Sequence, residues 1–228
     1  VESVAAIKIP VFVACLYPLI RLAWLAAYDN LGANPIEFIT RSTGTWTLVF
    51  LTLTLAVTPL RRLSGYQAAI RFRRMLGLFA FFYASLHLVT YIWLDQFFAL
   101  MDMAADVMKR PFITVGFFSF LLLVPLALTS TSGMIRRLGG RRWLWLHRLV
   151  YVASLGGVVH FLWLVKADIR EPLIYGSIVA LLLAFRVAAA MRGVRTSLLA
   201  RTGRRAPLVG KVGEESSGLK KGSELTHN

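Results

Sequence analysis

Residues 71–87 read RFRRMLGLFAFFYASLH, a knot of arginines followed by an apolar run that ends in a histidine. Continued to Leu94, the run reaches the twenty or so residues a helix needs to cross about 30 Å of hydrocarbon. An imidazole set that deep in hydrocarbon has no water to satisfy it. The stretch therefore asks for a membrane around it and a partner for His87.

Working outward, blocks of the same kind lie at residues 9–28, 43–60, 75–94, 112–130, 143–165 and 173–191, separated by short polar segments. Hydrophobic residues make up 57% of the chain and charged ones 16%, whereas about a quarter of a soluble domain is charged. The expected fold is all-α, an integral membrane bundle of six helices over residues 1–192.

The formal charge is +15, but the basic residues occupy alternate loops instead of one soluble face, which argues against nucleic acid as a partner. Arg61, Arg62, Arg71, Arg73 and Arg74 lie between helices two and three, Arg136, Arg137, Arg141 and Arg142 between four and five, and Arg192, Arg195, Arg201, Arg204 and Arg205 after helix six. The intervening loops carry Asp29, Glu37, Asp95, Asp102, Asp106, Asp168 and Glu171. The positive-inside rule puts both termini in the cytoplasm and the acidic loops outside. The first block is followed by DNLGANP and not by a small-residue cleavage pattern, so it is expected to anchor. The basic tail, residues 193–228, is rich in Gly, Ser and Lys and is expected to be disordered. Cys15, the lone cysteine, falls inside helix one and reads as packing.

Three of the four histidines fall in spans: His87 in helix three, His147 and His160 in helix five; His227 is in the tail. Each alone is compatible with a hydrogen bond to a neighbouring helix. Counted from Arg74 and Arg142 at 1.5 Å per residue, His87 lies about 20 Å deep, His160 about 27 Å and His147 about 8 Å. His87 and His160 are thus closest in level, and two imidazoles facing across a bundle are what a six-coordinate b-type haem requires. His147 would then serve a second haem nearer the arginines. Thirteen residues separate it from His160, which in a straight helix turns the two side chains about 140° apart. The Gly156-Gly157 pair offers a place for a distortion that would realign them.

No second histidine on helix three stands opposite His147. Arg73, with Arg74 beside it, occupies that level. A guanidinium has no lone pair for iron but pairs with haem propionates, or with a quinone or flavin phosphate; the alternative is charge that only sets topology. Arg21, in the middle of helix one, either meets a propionate or snorkels to the interface.

The segments LGANP, TPLRR, RRMLGLFAFFYASLHLVTY, KRPFITVGF, LALTSTSGM and RRWLWLHRLVYVASLGGVVHFLW, in order over residues 8–192, resemble the MsrQ (YedZ) family, the haem-binding membrane subunits of the MsrPQ methionine-sulfoxide reductase system in the ferric reductase-like transmembrane superfamily. The resemblance implies a haem b carrier in the bacterial inner membrane. It would take electrons from the quinone pool or a flavin and pass them to MsrP, a periplasmic molybdopterin subunit that repairs oxidised envelope proteins. The family's ligating histidines fall on His87, His147 and His160. FMN is also associated with the family, although no phosphate-cradling motif locates it here. The superfamily's larger oxidases carry two histidines on each of two helices, where this chain has one on helix three. The 37 residues after Met191 contain no G-x-G-x-x-G, so the electron donor is expected to be a separate molecule. The rival readings are a stand-alone ferric or cupric reductase and a transporter with a histidine-lined path; against the transporter, the spans carry no carboxylate and no inverted repeat.

Overall fold

The computed structural model describes residues 2–165 and 168–203. They form helices α1 (Glu2–Ala27), α2 (Pro35–Ser64), α3 (Ile70–Thr90), α4 (Leu100–Lys109), α5 (Pro111–Leu128), α6 (Ser132–Leu138), α7 (Gly140–Leu146), α8 (Leu149–Leu164) and α9 (Arg170–Gly203). Among the described residues six segments are long and apolar enough to cross a membrane: Ala6–Ala27, Pro35–Ser64, Gln67–Asp95, Pro111–Leu128, Gly140–Leu164 and Arg170–Arg192. These are the six expected spans. The bundle belongs to the compact unit Val1–Arg186; of the second unit, Val187–Asn228, the described residues contribute the last turns of α9. Helix α9 runs to Gly203, so helix replaces the start of the expected disordered tail, whose remaining residues, 204–228, lie outside the described ones.

The second span starts well before residue 43 because polar residues begin it. The Asn34 side chain accepts the Glu37 N–H at 3.2 Å and Pro35 stands at the first helical position, a start signal that hydropathy alone does not register. Farther along α2, threonines sit within hydrocarbon by bonding their own helix. Thr43, Thr47, Thr52 and Thr54 each donate to the carbonyl four residues back, at 2.7–2.9 Å.

Helices α2 and α3 pack along their length, as do α5 and α8. Between them lies a core that includes Leu48, Leu51, Leu55, Ala80, Leu123 and Ala153. Phe50 stacks on Tyr83 and Phe79, with ring centres 5.2 and 5.7 Å apart. Tyr83 is buried and ties α1 to α3: its hydroxyl donates to the Cys15 carbonyl at 2.9 Å and accepts the Leu19 N–H at 3.2 Å. Those are groups four residues apart on a helix already interrupted at Pro18, so the tyrosine enters α1 where its ladder is weakest. Cys15 is buried in the core, as packing requires. Large apolar side chains such as Ile9, Trp24 and Leu181 point outward, as they do where the solvent is lipid.

At the acidic end α3 passes into a π-helical turn, Tyr91–Asp95, and then through Phe97 and Phe98, both at positive φ, into α4. The Asp106 carboxylate gathers this region. It accepts from Tyr91 Oη at 3.3 Å and Gln96 Nε2 at 3.2 Å and pairs with Arg110 at 3.2 Å.

The fifth span is built differently from the sequence expectation. It comprises α7 and α8 with a break at His147 and Arg148, while α8 runs unbroken through Gly156 and Gly157. Straight-helix counting between His147 and His160 therefore does not apply. Gly156 instead allows a close approach of α5, since a Cβ there would collide with Ser119 Oγ.

Candidate functional site

His87 on α3 and His160 on α8 face each other, with ring centres 6.1 Å apart and planes at 73°. Each is anchored through Nδ1 to a backbone carbonyl of the neighbouring helix, His87 to Thr40 at 2.9 Å and His160 to Phe112 at 2.7 Å. A carbonyl only accepts, so each Nδ1 carries the proton and each Nε2 keeps its lone pair. Such an outer hydrogen bond orients a metal-binding imidazole and raises its basicity.

One local device serves both anchors. Four residues after each accepting carbonyl stands a glycine, Gly44 after Thr40 and Gly116 after Phe112. A Cβ on Gly44 would lie 3.0 Å from His87 Cε1, and one on Gly116 would lie 2.7 Å from His160 Nδ1. Residues four apart share a helix face, so the missing side chain is the opening through which the ring reaches the carbonyl. The sequence reading missed Thr40, Gly44, Phe112 and Gly116; an apolar helix with a glycine at a histidine's level was the available signal.

The geometry fits a macrocyclic iron. Imidazoles bound end-on from opposite sides, each nitrogen about 2 Å from the metal, have ring centres roughly 6 Å apart. Among the described residues no group of three or more His, Cys, Asp or Glu side chains gathers around a common point. Two nitrogens alone leave a six-coordinate metal short of ligands, which a porphyrin supplies in its plane. Thr40 Oγ1, next to the anchoring carbonyl, is buried without a hydrogen-bond partner among the described residues.

The remaining sequence candidates separate. His147 caps α7 at the arginine-rich end, where its Nδ1 bonds the Trp143 carbonyl at 3.1 Å and its ring lies 4.0 Å from that of Trp143. It meets neither His87 nor His160, and the side chain nearest it in charge terms is Arg73. Arg73 is half-buried, whereas Arg74, a hundred degrees on around α3, is exposed and lines a groove with Lys8, Phe12, Arg71 and Phe82. The two arginines therefore serve different surfaces. Arg21 is exposed on α1, which removes it as a partner for anything inside the bundle and leaves snorkelling.

Sequence reasoning also passed over Arg186, hidden in the apolar run of the sixth span. Its Nη1 donates to Tyr151 Oη at 3.1 Å and its Nη2 to the Leu55 carbonyl at 2.7 Å.

The family described as ferric reductase like transmembrane component matches residues 43–158, which include His87 and His147. Among similar proteins, the heme-binding subunit MsrQ of protein-methionine-sulfoxide reductase from Herminiimonas arsenicoxydans is 61% identical over 183 residues, 79% of this chain and 84% of its own. The protein of the same description from Ralstonia nicotianae is 53% identical over 201 residues, 87% of this chain and 93% of its own. That from Rhodospirillum rubrum is 56% identical over 189 residues, 83% and 91% of the two chains. With identity at this level over most of both lengths, the chain belongs to the MsrQ family of ferric reductase-like transmembrane proteins.

Proposed function

We propose that this chain is the electron-carrying membrane subunit of a protein-methionine-sulfoxide reductase, holding a b-type haem between His87 and His160. The observation that carries the reading is the pair of imidazoles with ring centres 6.1 Å apart, each held through Nδ1 by a backbone carbonyl of a neighbouring helix. When bound, the haem supplies one-electron redox chemistry; the protein supplies axial ligands, burial and orientation. His147, with Arg73 near it, is the candidate for a second haem at the arginine-rich end.

By the positive-inside rule the arginine-rich end faces the cytoplasm and the acidic end the periplasm of a bacterial inner membrane. Electrons from quinol or a flavin then leave toward the outer side, where His87 and His160 sit. The recipient is a periplasmic molybdopterin subunit, MsrP, which reduces methionine sulfoxide in oxidised envelope proteins. The docking surface for it is the segment Asp95–Arg110, where α4 presents Leu100, Met101 and Met108 outward, together with the loop from Lys166 to Pro172, of which Lys166 and Ala167 lie outside the described residues.

The test is reoxidation in proteoliposomes. The chain is reduced with quinol, and the haem spectrum is followed on adding an MsrP-type partner with methionine sulfoxide. Reoxidation that needs both supports the reading. Equal reoxidation by a ferric chelate without the partner, and none with it, would move the protein to the stand-alone metal reductases.

A further inference from the structure

Arg71, Met75 and Phe79 stand four residues apart on α3, and so do Arg74, Leu78 and Phe82. Residues so spaced share a helix face. The two rows run along one groove of about 490 Å³, which Lys8 and Phe12 of α1 line from the other side. Each row opens with an arginine and turns apolar. The span that holds them, Gln67–Asp95, has 29 residues, about 43 Å of helix, which is the thickness of a bilayer with its headgroups. Its first two turns, with Arg71 and Arg74, therefore lie at the level of lipid phosphates, and the aromatic part of the groove at the level of acyl chains. Lys8 stands at the matching end of its own span, Ala6–Ala27. Cations at this level can also do no more than set topology, as Arg136 and Arg137 do, exposed on the short helix α6. What sets Lys8, Arg71 and Arg74 apart is convergence: three cations from two helices meet on one groove whose remaining lining is apolar.

We infer that this groove seats an acidic phospholipid, its phosphate against Lys8, Arg71 and Arg74 and an acyl chain along Phe12, Leu78 and Phe82. Guanidinium forks match phosphate oxygens, and basic pockets between spans are where acidic headgroups bind. The groove's volume is that of a small-molecule site, enough for a headgroup and the first part of one chain, with the rest of the lipid left in the bilayer. Seated there, the lipid bridges α1 and α3. Tyr83 ties these helices deeper in the membrane, at Cys15 and Leu19, and Phe12 meets Phe79 edge-on with ring centres 5.2 Å apart. The lipid would hold α1 at the end those contacts do not reach. The inference stands apart from the haem reading and does not need it.

Wild type, as the full chain in detergent and stripped of lipid, is titrated with phosphatidylglycerol or with phosphatidylcholine of the same acyl chains. Native mass spectrometry reads the bound lipid, and hydrogen exchange reads α1 over residues 6–14. The expectation is preferential retention of phosphatidylglycerol, with slower exchange in that stretch when it is bound. Replacing both arginines, Arg71→Gln with Arg74→Gln, should weaken its binding roughly thirtyfold. Arg136→Gln with Arg137→Gln removes the same charge from α6 and should change binding little. Leu78→Trp, which keeps every cation but fills the apolar part of the groove, should weaken binding as well. Equal retention of the two lipids by wild type would overturn the inference without reliance on any variant. So would an equal loss in the two double variants, which would mark unspecific surface charge, or unchanged binding in Leu78→Trp, which would leave no acyl chain in the groove. Lipid uptake only after Glu2, Glu214, Glu215 and Glu224, whose side chains lie outside the described ones, are all changed to Gln would also overturn it, by assigning the cations to a carboxylate of the chain itself.

Discussion

Gly116 and His160 are built against each other: a Cβ on the glycine would stand 2.7 Å from the Nδ1 that bonds the Phe112 carbonyl. Real Cβ atoms do not approach this closely, so in Gly116→Ala the imidazole must leave its anchor. The strain of such overpacking is about 1 to 3 kcal/mol, equivalent to roughly five- to 150-fold weaker cofactor binding. Gly44→Ala, at 3.0 Å from His87 Cε1, should act in the same direction but less strongly. Gly77→Ala, whose Cβ would meet only Thr54 Cγ2 at 3.7 Å, is the control and should leave binding unchanged. Haem titration of the three variants checks the order, and equal affinities for Gly116→Ala and Gly77→Ala would contradict it.

Tyr83→Phe removes a hydroxyl that joins α1 to α3 through backbone groups while keeping the stack on Phe50. A buried donor and acceptor left unpaired cost about 1 to 3 kcal/mol. Thermal unfolding in detergent should show that loss, with the haem spectrum of the folded protein unchanged because both histidines are anchored on other helices, at Thr40 of α2 and Phe112 of α5. Wild-type stability in Tyr83→Phe would mean the hydroxyl is not structural.

The boundary between what residues 71–87 disclosed and what they hid is physical. Hydrocarbon demands a continuous apolar run of known length, so six spans and the common depth of His87 and His160 could be counted along the chain. Counting assumes a straight helix, and it failed at His147, where α7 ends and α8 begins. The anchoring carbonyls of Thr40 and Phe112 are groups every residue has, so nothing in their side chains marked them. Arg21 and Arg186 carry the same signal, a cation in an apolar run; only packing separates the one that points outward from the one that points inward.

Asp106→Ala leaves Tyr91 Oη, Gln96 Nε2 and Arg110 without their shared acceptor. Because Arg110 is largely exposed, the cost to global stability should be small, about 1 kcal/mol. The effect should be local: faster proteolysis between residues 96 and 110, and slower electron delivery to an MsrP-type partner, with haem content and potential unaltered. A variant that loses haem would contradict the separation of this segment from the histidine pair.

The central claim is that His87 and His160 hold one haem between them. Reduced-minus-oxidised absorption spectra with haem-to-protein stoichiometry, taken on wild type beside His87→Ala, His160→Ala and His147→Ala, test it most directly. The expected result is a low-spin bis-histidine b-type spectrum that is lost from His87→Ala and from His160→Ala but kept, for that haem, in His147→Ala. A full low-spin spectrum in either His87→Ala or His160→Ala would contradict the claim.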